Sequence, residues 1–227
     1  MSSVYFSTNL SIIIQLLTGI IGVSGIVTNI PEKHKILQEI LTLEMIVQFG
    51  ELFFYIFMLQ SMAITSLPQM AAVRYIDWFI TTPTMLLTSI IFFKYEENLE
   101  KNISQNIDFM DFIKTNKYNI ISIVLCNFLM LFFGYLGEID IIDMNLSLTL
   151  GFLFFGITYY IIYANYAVKS KNATTLFYYT LLIWGTYGIA AIMDPDTKNN
   201  MFNILDIFAK NFFGLYLYYR IMNIRNS

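Results

Sequence analysis

The sequence predicts an all-α membrane protein that folds as a bundle of seven transmembrane helices. Of its 227 residues, 57% are hydrophobic and only 13% are charged, and the mean hydropathy is +0.61. A soluble domain has roughly a quarter of its residues charged, so this chain carries too few charges to cover a water-facing surface. A spanning helix needs roughly 20 apolar residues, and at about 32 residues per helix and connection the chain accommodates about seven spans.

Seven apolar runs, each long enough to cross a bilayer, supply the expected helices. They are Val4–Thr28, Leu37–Met62, Met70–Phe93, Tyr118–Leu136, Met144–Val168, Leu176–Met193 and Met201–Met222. Too many of these runs are apolar all round for the helices of a soluble bundle, and the two-residue alternation of a membrane barrel is absent. We therefore expect residues 1–227 to form one transmembrane domain.

The basic residues are divided unequally between the two sets of loops, and this predicts the orientation. One set of loops, with the C-terminus, holds Lys33, Lys35, Lys94, Lys101, Lys114, Lys117, Lys169, Lys171, Arg220 and Arg225. The opposite set holds only Lys198. Because basic loops stay in the cytoplasm, we expect an extracellular N-terminus and a cytoplasmic C-terminus.

Composition also argues against several classes of protein. The chain has one cysteine, Cys126, and one histidine, His34, which excludes an intramolecular disulfide framework and a multi-histidine metal site. We expect no bound metal. The net charge of −3 is spread over both loop faces and gives no basic surface for nucleic acid.

Six ionisable residues fall within the predicted spans, where a charge is costly and usually functional. They are Glu44, Glu51, Arg74, Asp77, Asp206 and Lys210. The alternative interpretation is that they form structural pairs that neutralise each other. Asp206 and Lys210 lie four residues apart on one helix face, and a buried lysine is suited to forming an imine with an aldehyde. Asp206 would balance the positive charge of such an imine.

The third predicted span supplies further charges. Arg74, Asp77 and Thr81 are spaced i, i+3 and i+7 and therefore share one face. Thr81 is expected to hydrogen-bond Asp77 one turn away. Two carboxylates, one arginine and one lysine-derived cation would together form a neutral buried cluster.

The sequence RYIDWFITTP over residues 74–83, with DIFAK over 206–210, closely resembles the signature of the microbial rhodopsins. That resemblance implies all-trans retinal bound as a protonated Schiff base on Lys210. It also implies that Asp77 and Asp206 are counterions, with Asp77 as the proton acceptor. Positions that match the retinal pocket of the family are Trp78, Thr82, Met85, Met130, Gly134, Trp184, Tyr187 and Ala209. No enzymatic activity is expected from such a protein.

Three positions depart from the common pattern of the family. Phe152 stands where a tryptophan is usual, Gly188 where a proline is usual, and Ala191 near another usual aromatic residue. These departures predict a reshaped pocket around the ring end of retinal.

The second predicted span carries Glu44, Gln48 and Glu51 at i, i+4 and i+7, a polar stripe about 10 Å long. Rows of carboxylates attract cations in pores. The two glutamates fall in phase with helix-two glutamates of the algal channelrhodopsins, and Asn211 resembles their central-gate asparagine.

The first span carries a similar polar stripe that could complete the wall of an ion path. It consists of Ser11, Gln15 and Thr18. Simple hydrogen bonding between helices is the alternative interpretation of this stripe.

The sequence is rich in Ile, Asn, Phe, Tyr and Lys, a bias that is common where the coding DNA is AT-rich. With the helix-two glutamates, it resembles the viral branch of microbial rhodopsins, which includes light-gated cation channels. The resemblance implies a multi-pass protein in the lipid bilayer of a host cell or virus, with monovalent cations or protons as transported ions. It also implies a homo-oligomer, a trimer or a pentamer.

Three functions compete at this point. Glu44, Glu51 and Asn211 favour a light-gated cation channel. A slow or weak outward proton pump is allowed by Asp77 but disfavoured by Thr88, which occupies the helix-three position of the usual carboxylate donor. A sensory rhodopsin would need a transducer partner.

Overall fold

The computed structural model describes residues 2–103 and 106–226, and this part of the chain is built from helices without a strand. Six spans are continuous helices. These are α1 (Ser2–Ile26), α2 (Ile36–Ser61), α3 (Leu67–Glu100), α4 (Phe109–Glu138), α5 (Met144–Asn165) and α6 (Lys171–Ala190). The seventh span consists of α7 (Pro195–Asp206), a π-helical turn (Ile207–Asn211) and α8 (Phe212–Asn226). Short 3₁₀ helices at Glu32–His34 and Ala167–Lys169 precede α2 and α6.

The structure confirms the predicted seven-helix membrane bundle. Helices α1 to α4, and α5 with the 3₁₀ helix that follows it, are each long and apolar enough to cross a membrane. Helices α3 and α4 extend beyond their apolar runs, because backbone hydrogen bonding continues into the polar sequence between them. We call the end of the bundle where α1 begins the outer end, and the opposite end the inner end. The orientation of these ends relative to the cytoplasm stays a prediction.

Local sequence explains where the later helices begin. Ser66 and Gln69 form a capping box at the start of α3, with a proline in its first turn. At the starts of the next four helices, backbone N–H groups donate to a side-chain oxygen of the capping residue, which is Asp108, Asp143, Ser170 and Asp194 in turn. Each cap satisfies backbone donors that the helix itself leaves unpaired.

Two irregularities fall at the middle of the bundle. Pro83 lies inside α3, where its ring removes one backbone hydrogen bond. The π turn interrupts the seventh span at Lys210, and such turns are frequent at functional sites. Both irregularities lie next to the cavity described below.

At each end of the bundle, an ion pair connects spans that are distant in sequence. At the inner end, Arg220 Nη2 lies 2.7 Å from Glu96 Oε1, and Asn172 Nδ2 donates to Glu96 Oε2 over 2.7 Å. Helices α3, α6 and α8 therefore meet at one buried carboxylate. At the outer end, Lys198 Nζ contacts both carboxylate oxygens of Glu138 at 2.8 and 3.0 Å. This pair joins α4 to α7.

We expect Glu138→Gln to destabilise the protein, because it leaves the mostly buried Lys198 without its carboxylate. The expected loss is about 2 kcal/mol, or a fall of roughly 4–8 °C in the thermal unfolding midpoint of the detergent-solubilised protein. Asp140→Asn, at an exposed left-handed position two residues away, is the matched control. Asparagine tolerates that backbone conformation, so the control should unfold as the wild type does. Equal midpoints for Glu138→Gln and wild type would contradict a stabilising role for the pair.

Candidate functional site

The side chain of Lys210 lies at the centre of the bundle and is surrounded by carboxylates. Its Nζ atom lies 2.6 Å from Asp77 Oδ2 and 3.0 Å from Glu51 Oε1. Asp206 Oδ1 is 3.9 Å away on the same helix. All four side chains are buried, so their charges interact with little screening by water.

Glu51 is the unexpected member of this cluster. The sequence predicts it as part of an ion path, whereas the structure brings it into direct contact with Lys210. The predicted set of two carboxylates is therefore incomplete, because the middle of α2 turns toward the seventh span. Three carboxylates now face two cations, Lys210 and Arg74. The cluster is electrically neutral only if it holds one additional proton.

Asp206 is held by two tyrosines and an arginine. Tyr55 Oη donates to Asp206 Oδ2 over 2.6 Å, and Tyr187 Oη donates to Asp206 Oδ1 over 2.7 Å. Arg74 Nη1 lies 3.4 Å from the same Oδ2 and 3.0 Å from Tyr55 Oη. Sequence reasoning missed Tyr55 as part of the site, although its spacing of four residues from Glu51 places both on one face of α2.

Arg74 also contacts a chain of amides and hydroxyls toward the outer end. Its Nη2 donates to Asn203 Oδ1. Asn203 Nδ2 in turn donates to Ser7 Oγ at 2.7 Å and to Thr8 Oγ1 at 3.0 Å, while Ser7 Oγ donates to Asn200 Oδ1 at 2.7 Å. These residues were also missed. The available signal was that Asn199, Asn203 and Asp206 recur at i, i+4 and i+7.

The hydroxyl groups of Thr81 and Thr82 donate to backbone carbonyls of their own helix, α3. The hydrogen bond predicted between Thr81 and Asp77 is present, and it is made to the backbone, because the Thr81 hydroxyl donates to the carbonyl oxygen of Asp77 at 2.9 Å. A buried helical threonine commonly satisfies its hydroxyl in this way. Thr82 does the same toward Trp78 at 2.7 Å, and it also accepts from Asn127 Nδ2 at 2.8 Å.

An apolar cavity opens from Lys210 toward α4, α5 and α6. Its lining includes all eight residues that the family resemblance implies for the pocket, namely Trp78, Thr82, Met85, Met130, Gly134, Trp184, Tyr187 and Ala209. A primary amine beside carboxylates at one wall of an otherwise apolar cavity fits an elongated apolar aldehyde such as retinal.

The three departures from the family pattern also line this cavity. A Cβ atom added at Gly188 would lie 2.6 Å from Cε2 of Phe152. The missing side chain on α6 therefore leaves space that the ring from α5 occupies. Ala191, near the outer end of α6, lines the same cavity.

The residues predicted for the ion path lie on the opposite side of Lys210, between α1, α2 and the seventh span. Thr18 Oγ1 accepts from Asn211 Nδ2 at 2.8 Å and from Gln48 Nε2 at 2.7 Å. Ser11 Oγ donates to the carbonyl of Asn203 at 3.1 Å, and Glu44 is hydrogen-bonded to Thr88 on α3. Ser11 and Thr18 of the first-span stripe therefore do form hydrogen bonds between helices, as the alternative interpretation of that stripe expected.

Several polar atoms in this region are buried without a hydrogen-bond partner. They are Oε1 and Nε2 of Gln15, Oε1 of Gln48, Oδ1 of Asn211, Oε2 of Glu44 and both carboxylate oxygens of Glu51, where only the ion pair with Lys210 is made. Buried polar groups are ordinarily satisfied, and a cluster of exceptions is costly in a dry interior. We call the five residues that carry these atoms, Gln15, Glu44, Gln48, Glu51 and Asn211, the polar band. It is suited to holding water or a small cation.

Comparisons with known proteins agree with this architecture. The sequence profile of the bacteriorhodopsin-like protein family matches residues 6–224. The viral rhodopsin OLPVRII has a similar structure, with TM-score 0.82 and 27% identity over 97% of this chain and 98% of that chain. The blue light-absorbing proteorhodopsin from Med12 has TM-score 0.73 and 19% identity, with 99% and 98% covered. The light-driven proton pump CsR from Coccomyxa subellipsoidea has TM-score 0.70 and 18% identity, with 96% and 97% covered. A comparison with curated protein sequences gave no significant match.

We expect Arg74→Gln to destabilise the fold, because it removes the cation that Asp206 and Tyr55 face. Breaking a buried ion pair on one side costs about 3 kcal/mol or more, a fall of at least roughly 6 °C in the unfolding midpoint. Arg225→Gln, at an exposed arginine of α8, is the control and should leave the midpoint unchanged. If both variants unfold at the same temperature, Arg74 does not stabilise the cluster.

Proposed function

The chain belongs to the family of bacteriorhodopsin-like proteins, and from this membership we propose that it is a retinal-binding photoreceptor that acts as a light-gated cation channel. The family predicted from the sequence is thereby confirmed. The likeness to a viral rhodopsin over nearly the whole chain supports the viral branch. The chain is an integral multi-pass membrane protein.

Binding of retinal is supported by the position of Lys210 between an apolar cavity and three carboxylates. When bound, all-trans retinal supplies absorption of visible light and an isomerisation that changes the position and acidity of the attached nitrogen. Trp78, Trp184 and the other lining residues would hold the polyene and exclude water from it. The carboxylates of Asp77, Glu51 and Asp206 would balance the charge at Nζ.

Asp77 is the residue that we propose as proton acceptor. Its Oδ2 lies 2.6 Å from Lys210 Nζ, the shortest of the three carboxylate distances. A proton that leaves Nζ can therefore reach Asp77 without an intermediate group. Asp206 is less suited to accept it, because each of its oxygens already accepts a hydrogen bond from a tyrosine.

The channel proposal is carried by the polar band. It consists of buried polar atoms without partners between α1, α2 and the seventh span, with carboxylates at both ends. An apolar filling at these positions would seal the bundle, whereas polar side chains allow water to enter once the Lys210 cluster is disturbed. Carboxylates at Glu44 and Glu51 would attract monovalent cations or protons and repel anions.

A second candidate function is a slow outward proton pump. It is favoured by the contact between Glu44 and Thr88, which puts a carboxyl group on the inner side of Lys210. Passive current distinguishes the two functions, because it follows the ion gradient while pump current keeps its direction.

The remaining features of the proposal concern the cellular setting. Residues 1–227 would form one domain, with the outer end outside and the inner end in the cytoplasm, as the loop charges favour. The membrane would be that of a host cell or a virus. We propose a homo-oligomer, a trimer or a pentamer.

Lys210→Ala should give no visible pigment when all-trans retinal is added, because within residues 2–103 and 106–226 Lys210 is the only lysine that lines the cavity. Lys210→Arg keeps a cation beside the carboxylates and is expected to be equally colourless, since a guanidinium does not form the imine. Lys171→Ala, at an exposed lysine, should retain wild-type absorption. Absorption spectroscopy of the purified proteins measures this. A covalent visible pigment in both Lys210 variants would refute the attachment site.

Photocurrents should reverse sign with the cation gradient and shift their reversal potential when sodium and potassium are exchanged. Glu51→Gln should change the current or its selectivity more than Glu44→Gln, because Glu51 contacts Lys210 directly in a buried position. Glu39→Gln, an exposed position on α2, should change the current less than about twofold. Outward current that persists without a gradient and ignores both glutamates would instead establish the pump.

A further inference from the structure

The outer part of the cavity carries a second group of polar side chains, apart from the carboxylates around Lys210. Tyr75 of α3, Glu138 at the end of α4 and Ser147 of α5 all line it. Glu138 is paired with Lys198, which precedes Lys210 by twelve residues, about 18 Å along the seventh span. One cavity therefore extends from the amine of Lys210 to polar groups near the outer end of the bundle.

These polar groups lie around the last turn of α4, where two glycines leave room for them. A Cβ atom added at Gly134 would lie 2.9 Å from Tyr75 Oη. A Cβ atom added at Gly137 would overlap the Ser147 hydroxyl. Glu138 follows Gly134 by four residues and so lies on the same face of α4. The three polar side chains thus converge on one end of the cavity.

The Tyr75 hydroxyl lacks the partner that a buried tyrosine ordinarily has. Tyr75 is only 6% exposed, yet within residues 2–103 and 106–226 its hydroxyl forms no hydrogen bond. Its ring is held by Trp78 at 5.0 Å and by Tyr135 at 5.8 Å between ring centroids. The hydroxyl is therefore fixed at the cavity with a proton left to donate.

Glu138 and Ser147 supply acceptors beside this donor. Only 3% of the Glu138 side chain is exposed, and its carboxylate oxygens accept from Lys198 Nζ at 2.8 and 3.0 Å. Each oxygen keeps a further lone pair. Ser147 Oγ donates to the carbonyl of Phe133 at 2.9 Å, so its remaining capacity is to accept. One donor next to acceptors is the complement of a hydroxyl group, which both donates and accepts.

The end of the cavity also has small side chains in its wall. Gly188 and Ala191 stand where bulkier residues are usual in the family, and both line the cavity. Phe152 fills the space beside Gly188, whereas Ala191 contributes only a methyl group. A substituent on the ring of a bound ligand thus meets less bulk at Ala191 than an aromatic side chain would present.

We propose that Tyr75, Glu138 and Ser147 form a subsite for a hydroxyl group on the ring of the aldehyde bound at Lys210. The ligand class is a ring-hydroxylated retinal, whose hydroxyl accepts from Tyr75 and donates to Glu138 or Ser147. An unsubstituted ring leaves these buried polar groups unpaired, which costs free energy and disfavours that ligand. The inference rests on the proposed function, because it requires the aldehyde on Lys210.

Ring fragments test the subsite in the retinal-free protein. β-Ionone and 3-hydroxy-β-ionone differ by one hydroxyl, on the ring carbon opposite the side chain. The sequence has two tryptophans, Trp78 and Trp184, and both line the cavity, so quenching of tryptophan fluorescence reports binding. We expect one enantiomer of the hydroxylated fragment to bind on the order of tenfold more tightly than β-ionone.

Tyr75→Phe removes only the hydroxyl and should abolish this preference. Tyr135→Phe is the matched control, because Tyr135 contacts the Tyr75 ring but is not among the described residues that line the cavity. It should retain the tenfold ratio. Glu138→Gln should reduce the ratio, since an amide oxygen is a weaker acceptor than a carboxylate. Each variant is scored by the ratio of its two affinities, so a general loss of stability does not imitate the effect.

The complete aldehydes give a second measurement. Retinal-free protein is mixed with equal amounts of all-trans retinal and all-trans 3-hydroxyretinal, and the bound aldehydes are extracted and quantified by chromatography. The hydroxylated aldehyde should predominate in the wild type and in Tyr135→Phe. Tyr75→Phe should take up the two in nearly equal amounts.

The outcomes separate the two proposals. If both aldehydes form pigment but the wild type shows no preference between them, or between the two fragments, the subsite is wrong and the photoreceptor function stands. A preference that Tyr75→Phe retains in full would likewise overturn the role of the Tyr75 hydroxyl. If neither aldehyde forms a visible pigment, the proposed function is overturned, and the ring-hydroxylated chromophore with it.

Discussion

The contact of Lys210 with the carboxylates of Asp77, Glu51 and Asp206 is the interaction on which the rest of the structure depends. It joins α2, α3 and the seventh span through charges that have no access to bulk water. None of these charged groups can move out of the cluster without leaving an unpaired charge, which is costly in a membrane interior. The three spans must therefore stay in contact at the middle of the bundle.

This cluster also divides the bundle into two chemically different halves. On one side, α4, α5 and α6 contribute an apolar cavity whose lining suits a polyene. On the other side, α1, α2 and the π turn of the seventh span contribute buried amides, hydroxyls and carboxylates. Lys210 is the residue that both halves touch. A change in the shape of a molecule attached to it would therefore act directly on the polar half, without a relay through the helices.

The sequence predicts the number of helices, because long apolar runs have few alternative structures. It also identifies Lys210, Asp77 and Asp206 as buried charges, and the family signature locates the cavity residues. Periodicity assigns each residue to a face of its own helix, but it does not give the rotation or depth of one helix against another. The contact of Glu51 with Lys210 depends on those quantities. The local sequence likewise does not predict the π turn at Ile207–Asn211.

The hydrogen bond between Glu44 on α2 and Thr88 on α3 shows why the sequence of a single helix is a poor guide to function in this bundle. Read along α3 alone, Thr88 removes the proton donor and argues against return of the proton from the inner side. Across the interface with α2, the same position has a carboxyl group within hydrogen-bonding distance. A carboxyl group on α2 and a hydroxyl group on α3 thus meet at one buried position, and the periodicity of either helix alone reveals only one of them. The chemistry of the inner half is therefore determined by the pair of helices, since each contributes the group that the other lacks.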